Sequence, residues 1–121
     1  CGEELMKIFI SGKINGCKNY RDIFSEAERK LIEIGCTTVN PCIVSDKVTR
    51  CLSSFGMKPE LKDFMREDIR ELCGCDDIFM LDNWTDSEGA TYEFLIAKKV
   101  LGIPIFFSVE SLKEELLKNT D

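Results

Sequence analysis

The sequence contains no histidine. That absence excludes Ser-His-Asp and Cys-His catalysis and leaves most zinc sites without their usual nitrogen ligands. Positive charge is also in short supply: 16 Lys and Arg stand against 22 Asp and Glu, a formal net charge of −6. A surface with no basic stripe is poorly suited to long nucleic acid, where phosphate neutralisation supplies most of the affinity. A small anionic ligand remains compatible, because a helix N-terminus can hold a phosphate in an acidic protein. Long apolar runs are missing as well. The stretch Leu5–Ile10 is interrupted by Lys7 and is too short for a secretory core or a membrane span. The expectation is a cytoplasmic protein with no membrane partner. Met6, ahead of Lys-Ile-Phe-Ile, reads as a natural start, so the segment within residues 1–6 is expected to be an extension or cloning remnant.

Cysteine is plentiful but not patterned. The seven cysteines stand at 1, 17, 36, 42, 51, 73 and 75, an odd number with no C-x-x-C pair. This distribution fits reduced thiols in a reducing compartment, and Cys36, Cys73 and Cys75 fall beside apolar runs as small buried hydrophobes would. Nothing near Cys73-Gly74-Cys75 completes a four-ligand set, so neither metal nor cofactor is expected.

What is present is one domain. A chain of 121 residues, 44% hydrophobic and 31% charged, can bury a single core. Lys7–Ser11 is a short apolar run closed by Gly12, hence a buried strand. Tyr20–Ile34 carries Ile23, Phe24, Ala27, Leu31 and Ile34 at helical spacing, with Gly35 as its stop. Cys36–Val39 is a second strand ended by Asn40-Pro41, and residues 42–58 read as a mobile loop with at most a helical turn. Pro59 opens a helix through Leu72, Asp77–Leu81 is a third strand, and Ser87 caps a helix through Val100 that Gly102 ends. Pro104–Phe107 is a fourth strand and Ser111–Lys118 a last helix.

This alternation predicts right-handed βαβ units. The fold class is α/β: a three-layer α/β/α domain, flavodoxin- or Rossmann-like, with a parallel sheet of four to five strands. Sites in such sheets lie beyond the carboxyl ends of the strands, which selects Ser11–Asn19, Asn40–Cys42 and Asp82–Glu93. The first loop, Ser11-Gly12-Lys13-Ile14-Asn15-Gly16, has neither Walker A nor dinucleotide spacing, leaving a glycine turn that either admits a ligand to the backbone or simply turns the chain. In the third, Ser87 and the amides near Gly89 suit a phosphate or sugar hydroxyl at a positive helix end. Glu93, less than two turns further on, suits nucleophilic attack on an anomeric carbon, although a lone helical Glu is most often solvated. Asp68, amid Arg66, Glu67, Arg70 and Glu71, carries no signal of its own.

These pieces together resemble the nucleoside 2-deoxyribosyltransferase-like superfamily, in particular a short branch of phage and bacterial proteins with no assigned activity. The resemblance runs through Ile8-Phe9-Ile10-Ser11-Gly12, Asn15-Gly16, Tyr20 and Val39-Asn40-Pro41. It continues through Phe64-Met65-Arg66-Glu67-Asp68-Ile69, Cys75-Asp76, Trp84, Ser87, Gly89 and Glu93, and ends at Leu101-Gly102-Ile103-Pro104. It implies Glu93 as nucleophile at the anomeric carbon, Asp68 assisting the departing base, and Ser87 and Gly89 at the 5′ end of the sugar. Gly12, Asn15 and Gly16 would shape the sugar and phosphate pocket, with Ser11, Tyr20 and Asn40 beside it. Lys13 stands where the branch commonly has proline and adds a cation favouring a phosphorylated ligand. Trp84 would either stack on a base or form a surface lid. The implied activity is cleavage or transfer at the N-glycosidic bond of a nucleoside or its 5′-monophosphate, in a homo-oligomer. The rival is a module that binds or senses a nucleotide-like ligand without turnover.

Overall fold

The computed structural model describes residues 5–118, so most of the expected N-terminal extension lies outside the described residues. Four parallel strands form one sheet in the order β2-β1-β3-β4: β1 Lys7–Ser11, β2 Thr37–Val39, β3 Asp77–Met80 and β4 Ile105–Phe106. Five α-helices connect and cover them: α1 Tyr20–Glu33, α2 Pro41–Ser53, α3 Leu61–Cys73, α4 Glu88–Leu95 and α5 Val109–Lys118. The fold is the expected single-domain three-layer α/β/α, Rossmann-like architecture.

Two apolar cores, one on each face, hold the layers. Ile8, Ile10 and Phe79 meet Phe24, Ala27 and Leu31 of α1 and Leu112 of α5. Phe9, Ile78 and Met80 meet Leu72 of α3 and Ala90 and Ala97 after it. Strand alternation makes this possible, because successive residues point to opposite faces. All four strand residues of β3 are buried, as expected of a central parallel strand. Among the described residues no helix is long and apolar enough to cross a membrane.

Four expectations need correction. The segment 42–58 is no loop: its first twelve residues continue α2, capped by Asn40, whose side chain accepts from the Cys42 amide at 3.0 Å, with Pro41 in the first helical turn. Pro59 does not open α3. Glu60 is its cap, and Asp63 reaches back to accept from the Glu60 amide at 2.9 Å. The helix after Ser87 is not α-helical through Val100 but widens into a π-helix over Ile96–Leu101, ended by Gly102 in the left-handed region at φ 64°. Cys73 is exposed, whereas Cys36, Cys42 and Cys75 are buried, and all are free thiols.

Candidate functional site

The alternation that sends Ile8 and Ile10 to the α1 face turns Ser11 to the other face, beside α4. Ser11 is fully buried at the carboxyl end of β1. On the facing helix, Ser87 caps α4 by accepting from the Ala90 amide at 3.1 Å, which fixes the helix start and places Glu93 inward with 4% of its surface exposed. The Ser11 hydroxyl donates to Glu93 Oε1 at 2.6 Å, the length of an O–H bond to a carboxylate. Asp68 comes in from α3 with 7% exposed, and its Oδ1 is enclosed without a hydrogen-bond partner among the described residues. The sequence offered no reason to single out Asp68 except the resemblance; its burial sets it apart from the charged neighbours Arg66 and Arg70.

Electrostatics tie the two acids together. Burial holds the Glu93 carboxyl well above the usual carboxylate range, the Asp68 charge raises it further, and the Ser11 hydroxyl opposes both. Burial likewise pushes Asp68 up to about 6; its interaction with Glu93 works against this, while the charges of Glu67 and Glu71 add to it. The two acids are coupled, each changing the proton affinity of the other, so they titrate as a unit. The helix dipole does little to ionise Glu93. It is the sixth residue of α4, beyond the first turn where that field acts.

Both acids line a cleft of about 1010 Å³ beyond the carboxyl ends of the strands, where an open parallel sheet places its ligands. Gly12, Lys13, Asn15, Tyr20, Ser87 and Gly89 also line it, so eight of the twelve residues singled out in the sequence converge on one cavity. Leu61, Phe64, Met65, Pro41 and Ile43 give it an apolar wall. The Gly89 amide lies in the first turn of α4, with no helical carbonyl four residues back to accept from it.

The other four are placed differently. Ser11 is behind the cleft, bonded to Glu93. Gly16 forms a left-handed turn at φ 79° under the Lys13 side chain. Asn40 is committed to capping α2 and to Glu28, with Nδ2 donating at 3.5 Å. Trp84 stacks on Phe94 with centroids 4.6 Å apart and packs near Phe107; the ring contributes to an aromatic cluster outside the cleft and is not a platform for a ligand in it.

Several residues at or beside the cleft were not singled out in the sequence. Asn83 Oδ1 accepts from the Lys13 amide at 3.0 Å and anchors the first loop to the third; its position just past β3 was the available signal. Arg21 and Asp46 join α1 to α2 at the cleft through bonds of 2.6 and 3.0 Å, and Arg50 adds a further cation there. No signal marked Asp46 or Arg50 while their helix read as a loop. Among the described residues no group of three or more His, Cys, Asp or Glu side chains is placed to hold a metal ion.

With β1, the glycine loop and the acid pair falling in one continuous block, a family match over the same block is decisive. The chain belongs to the family described as Domain of unknown function (DUF4406). Its match spans residues 6–107, which takes in the whole sheet and every residue of the acid pair and its cleft. No curated protein and no solved structure matches the chain.

Proposed function

We propose that this member of the DUF4406 family cleaves or transfers at the N-glycosidic bond of a nucleoside or nucleoside 5′-monophosphate, with Glu93 as nucleophile and Asp68 as acid and base. The observation that carries the reading is the pair of buried carboxyls lining one apolar-walled cleft; in the proposed cycle they hold one proton between them. One proton on two carboxyls is the stoichiometry that a double displacement needs. The proton passes to Asp68 as the ligand settles. A Glu93 oxygen then bonds to C1′ while the C1′–base bond breaks and the base leaves with the Asp68 proton. Water or a second base gives its proton to Asp68 and displaces Glu93 from C1′, which restores the pair. The apolar wall of Leu61, Phe64 and Met65 suits a base, and Ser87, the Gly89 amide and Lys13 suit the sugar's 5′ end or a phosphate. The resemblance to nucleoside 2-deoxyribosyltransferases supports the same assignment, as well as a homo-oligomeric state and a cytoplasmic setting.

A second reading is favoured by one feature of the pair. Glu93 holds its proton tightly, and a neutral carboxyl is a poor nucleophile, which fits a module that binds a nucleotide-like ligand without turnover. Base release from a panel of nucleosides and 5′-monophosphates, followed by chromatography, separates the two. The glycosidase reading expects release by the wild type and loss of at least about a hundredfold in Glu93→Ala, the scale of a missing nucleophile. Binding by calorimetry with no release from any substrate would leave the binding module.

A further inference from the structure

Glu93 is surrounded by features that keep it protonated. Asp68 faces it from α3, with Glu67 and Glu71 behind on the same helix; α2 contributes the neutral thiol of Cys42 near Asp68 and, on the cleft wall, Asp46 and Arg50, and Asp86 and Glu88 line the cleft at the start of α4. The cations Lys13, Arg21 and Arg50 line the cleft, but none forms an ion pair with Glu93 among the described residues. Among the described residues, the side-chain donor reaching Glu93 is the Ser11 hydroxyl, 2.6 Å from Oε1. Ser11 is 0% exposed and is not part of the cleft lining, so no ligand can compete for that hydroxyl or be touched by it. Its backbone is held by β3: β1 pairs with β3 at Ser11 and Met80, and the Ser11 carbonyl accepts from the Leu81 amide at 2.8 Å. The hydroxyl is thus mounted on a strand end anchored to β3 and aimed at one oxygen of a helix side chain.

We propose that Ser11 is a positioning residue rather than a ligand-binding one: its hydroxyl occupies Glu93 Oε1, holds the carboxyl plane, and leaves Oε2 as the oxygen that attacks. This rests on the glycosidic reading above. The bond also has a protonic consequence. A hydroxyl donating to a carboxylate stabilises the ionised form, so Ser11 is what makes ionised Glu93 accessible despite its burial and its acidic neighbour. The direction is clear: without the hydroxyl, Glu93 holds its proton to higher pH.

The experiment pairs two readouts on wild type, Ser11→Ala and Ser11→Thr, the last keeping a hydroxyl at the same carbon. The first is the titration of the Glu93 side-chain carboxyl by carbon-13 NMR, assigned by its loss in Glu93→Gln. Ser11→Ala should raise the proton affinity of Glu93 about tenfold, one unit of pKa, with Ser11→Thr close to wild type. An unmoved titration in Ser11→Ala overturns the proposal. The second is base release as a function of pH. Ser11→Ala should lower kcat with KM within about twofold of wild type and move the acidic limb of the profile to higher pH, as expected for an interaction with the nucleophile rather than the substrate. A rise in KM with an unshifted profile also overturns it and returns Ser11 to the ligand-binding set. If the wild type releases no base from any substrate, the glycosidic reading fails and takes the attacking-oxygen role with it. The NMR titration then still decides whether Ser11 controls the protonation of Glu93.

Discussion

Gly12 sits where two strand ends nearly touch. A methyl group there would lie 2.6 Å from Leu81 Cδ1, 2.9 Å from Leu81 Cβ and 3.1 Å from Asn83 Oδ1. Leu81 is itself buried in the core, so it has little room to give way. Gly12→Ala should therefore cost about 1–3 kcal/mol in urea unfolding, the range for overpacking a filled site. It should also loosen the bond from the Lys13 amide to Asn83 and weaken ligand binding in the same protein. The other glycine of this loop makes a useful contrast. Gly16 would place a methyl group only in ordinary contact with the flexible Lys13 side chain, 3.6 Å from Cε, and is held to glycine by its positive φ, so its substitution strains the turn without disturbing the core. An equal loss of stability from both, with ligand binding untouched in each, would show that the approach of the two loops does not shape the cleft.

At the scale of elements, how readable each one was follows from how deeply it is buried. β1 and β3 could be read to within a residue, because a central parallel strand buried on both faces becomes a short unbroken apolar run. The helix α1 was equally plain, with Phe24, Ala27 and Leu31 buried at regular spacing and Gly35 after it. α2 was not. It buries only Pro41, Cys42 and Val48, and its Val, Thr and Cys residues are weak helix formers, so there is no apolar stripe to read. Its signal was at the start: Asn40-Pro41, read as the end of a strand, is also an N-cap followed by proline. The acid pair was half legible for a related reason. Glu93 stood out through the Ser87 cap, but the partnership of Ser11, Asp68 and Glu93 joins three elements far apart in sequence, and no local pattern encodes it. If the Asn40 cap is what starts α2, Asn40→Ala should lower stability by about 1 kcal/mol, the usual cost of losing such a cap. Hydrogen exchange should speed up at residues 41–53 and stay near wild type in α3 and α4, since opening is local. Uniform acceleration across all helices would instead assign Asn40 to the global core, through its contact with Glu28.

Across the whole molecule, the buried acids set how stability responds to pH. Asp77 begins β3 with 2% of its surface exposed, and burial pushes it up to about 6, aided by the charges of Asp76 and Glu115. Asp68 and Glu93 are raised as well, at the other end of the sheet. All three therefore bind protons more tightly in the folded chain than in the unfolded one. The slope of unfolding free energy with pH takes the sign of protons bound unfolded minus folded, which is negative here. For Asp77 the favourable contribution is complete below its ordinary value of 3.8 and is lost as pH rises through about 6. The protein should accordingly become less stable as pH rises from about 4 through about 6, opposite to a fold whose carboxylates are held by ion pairs. The surface pairs of Arg29 with Glu26 and Glu33 are exposed and contribute little against this trend. Asp77→Asn should flatten the profile and gain about 1–3 kcal/mol at pH 7.5, at about 1.4 kcal/mol for each unit of pKa removed. Glu93→Gln should flatten it too while abolishing base release, and the two effects should add because the sites lie at opposite ends of β3. Urea unfolding at a series of pH values checks all of this. Profiles of both variants that run parallel to wild type would mean that these acids titrate alike in the folded and unfolded chains, and the shared proton on which the proposed chemistry depends would go with them.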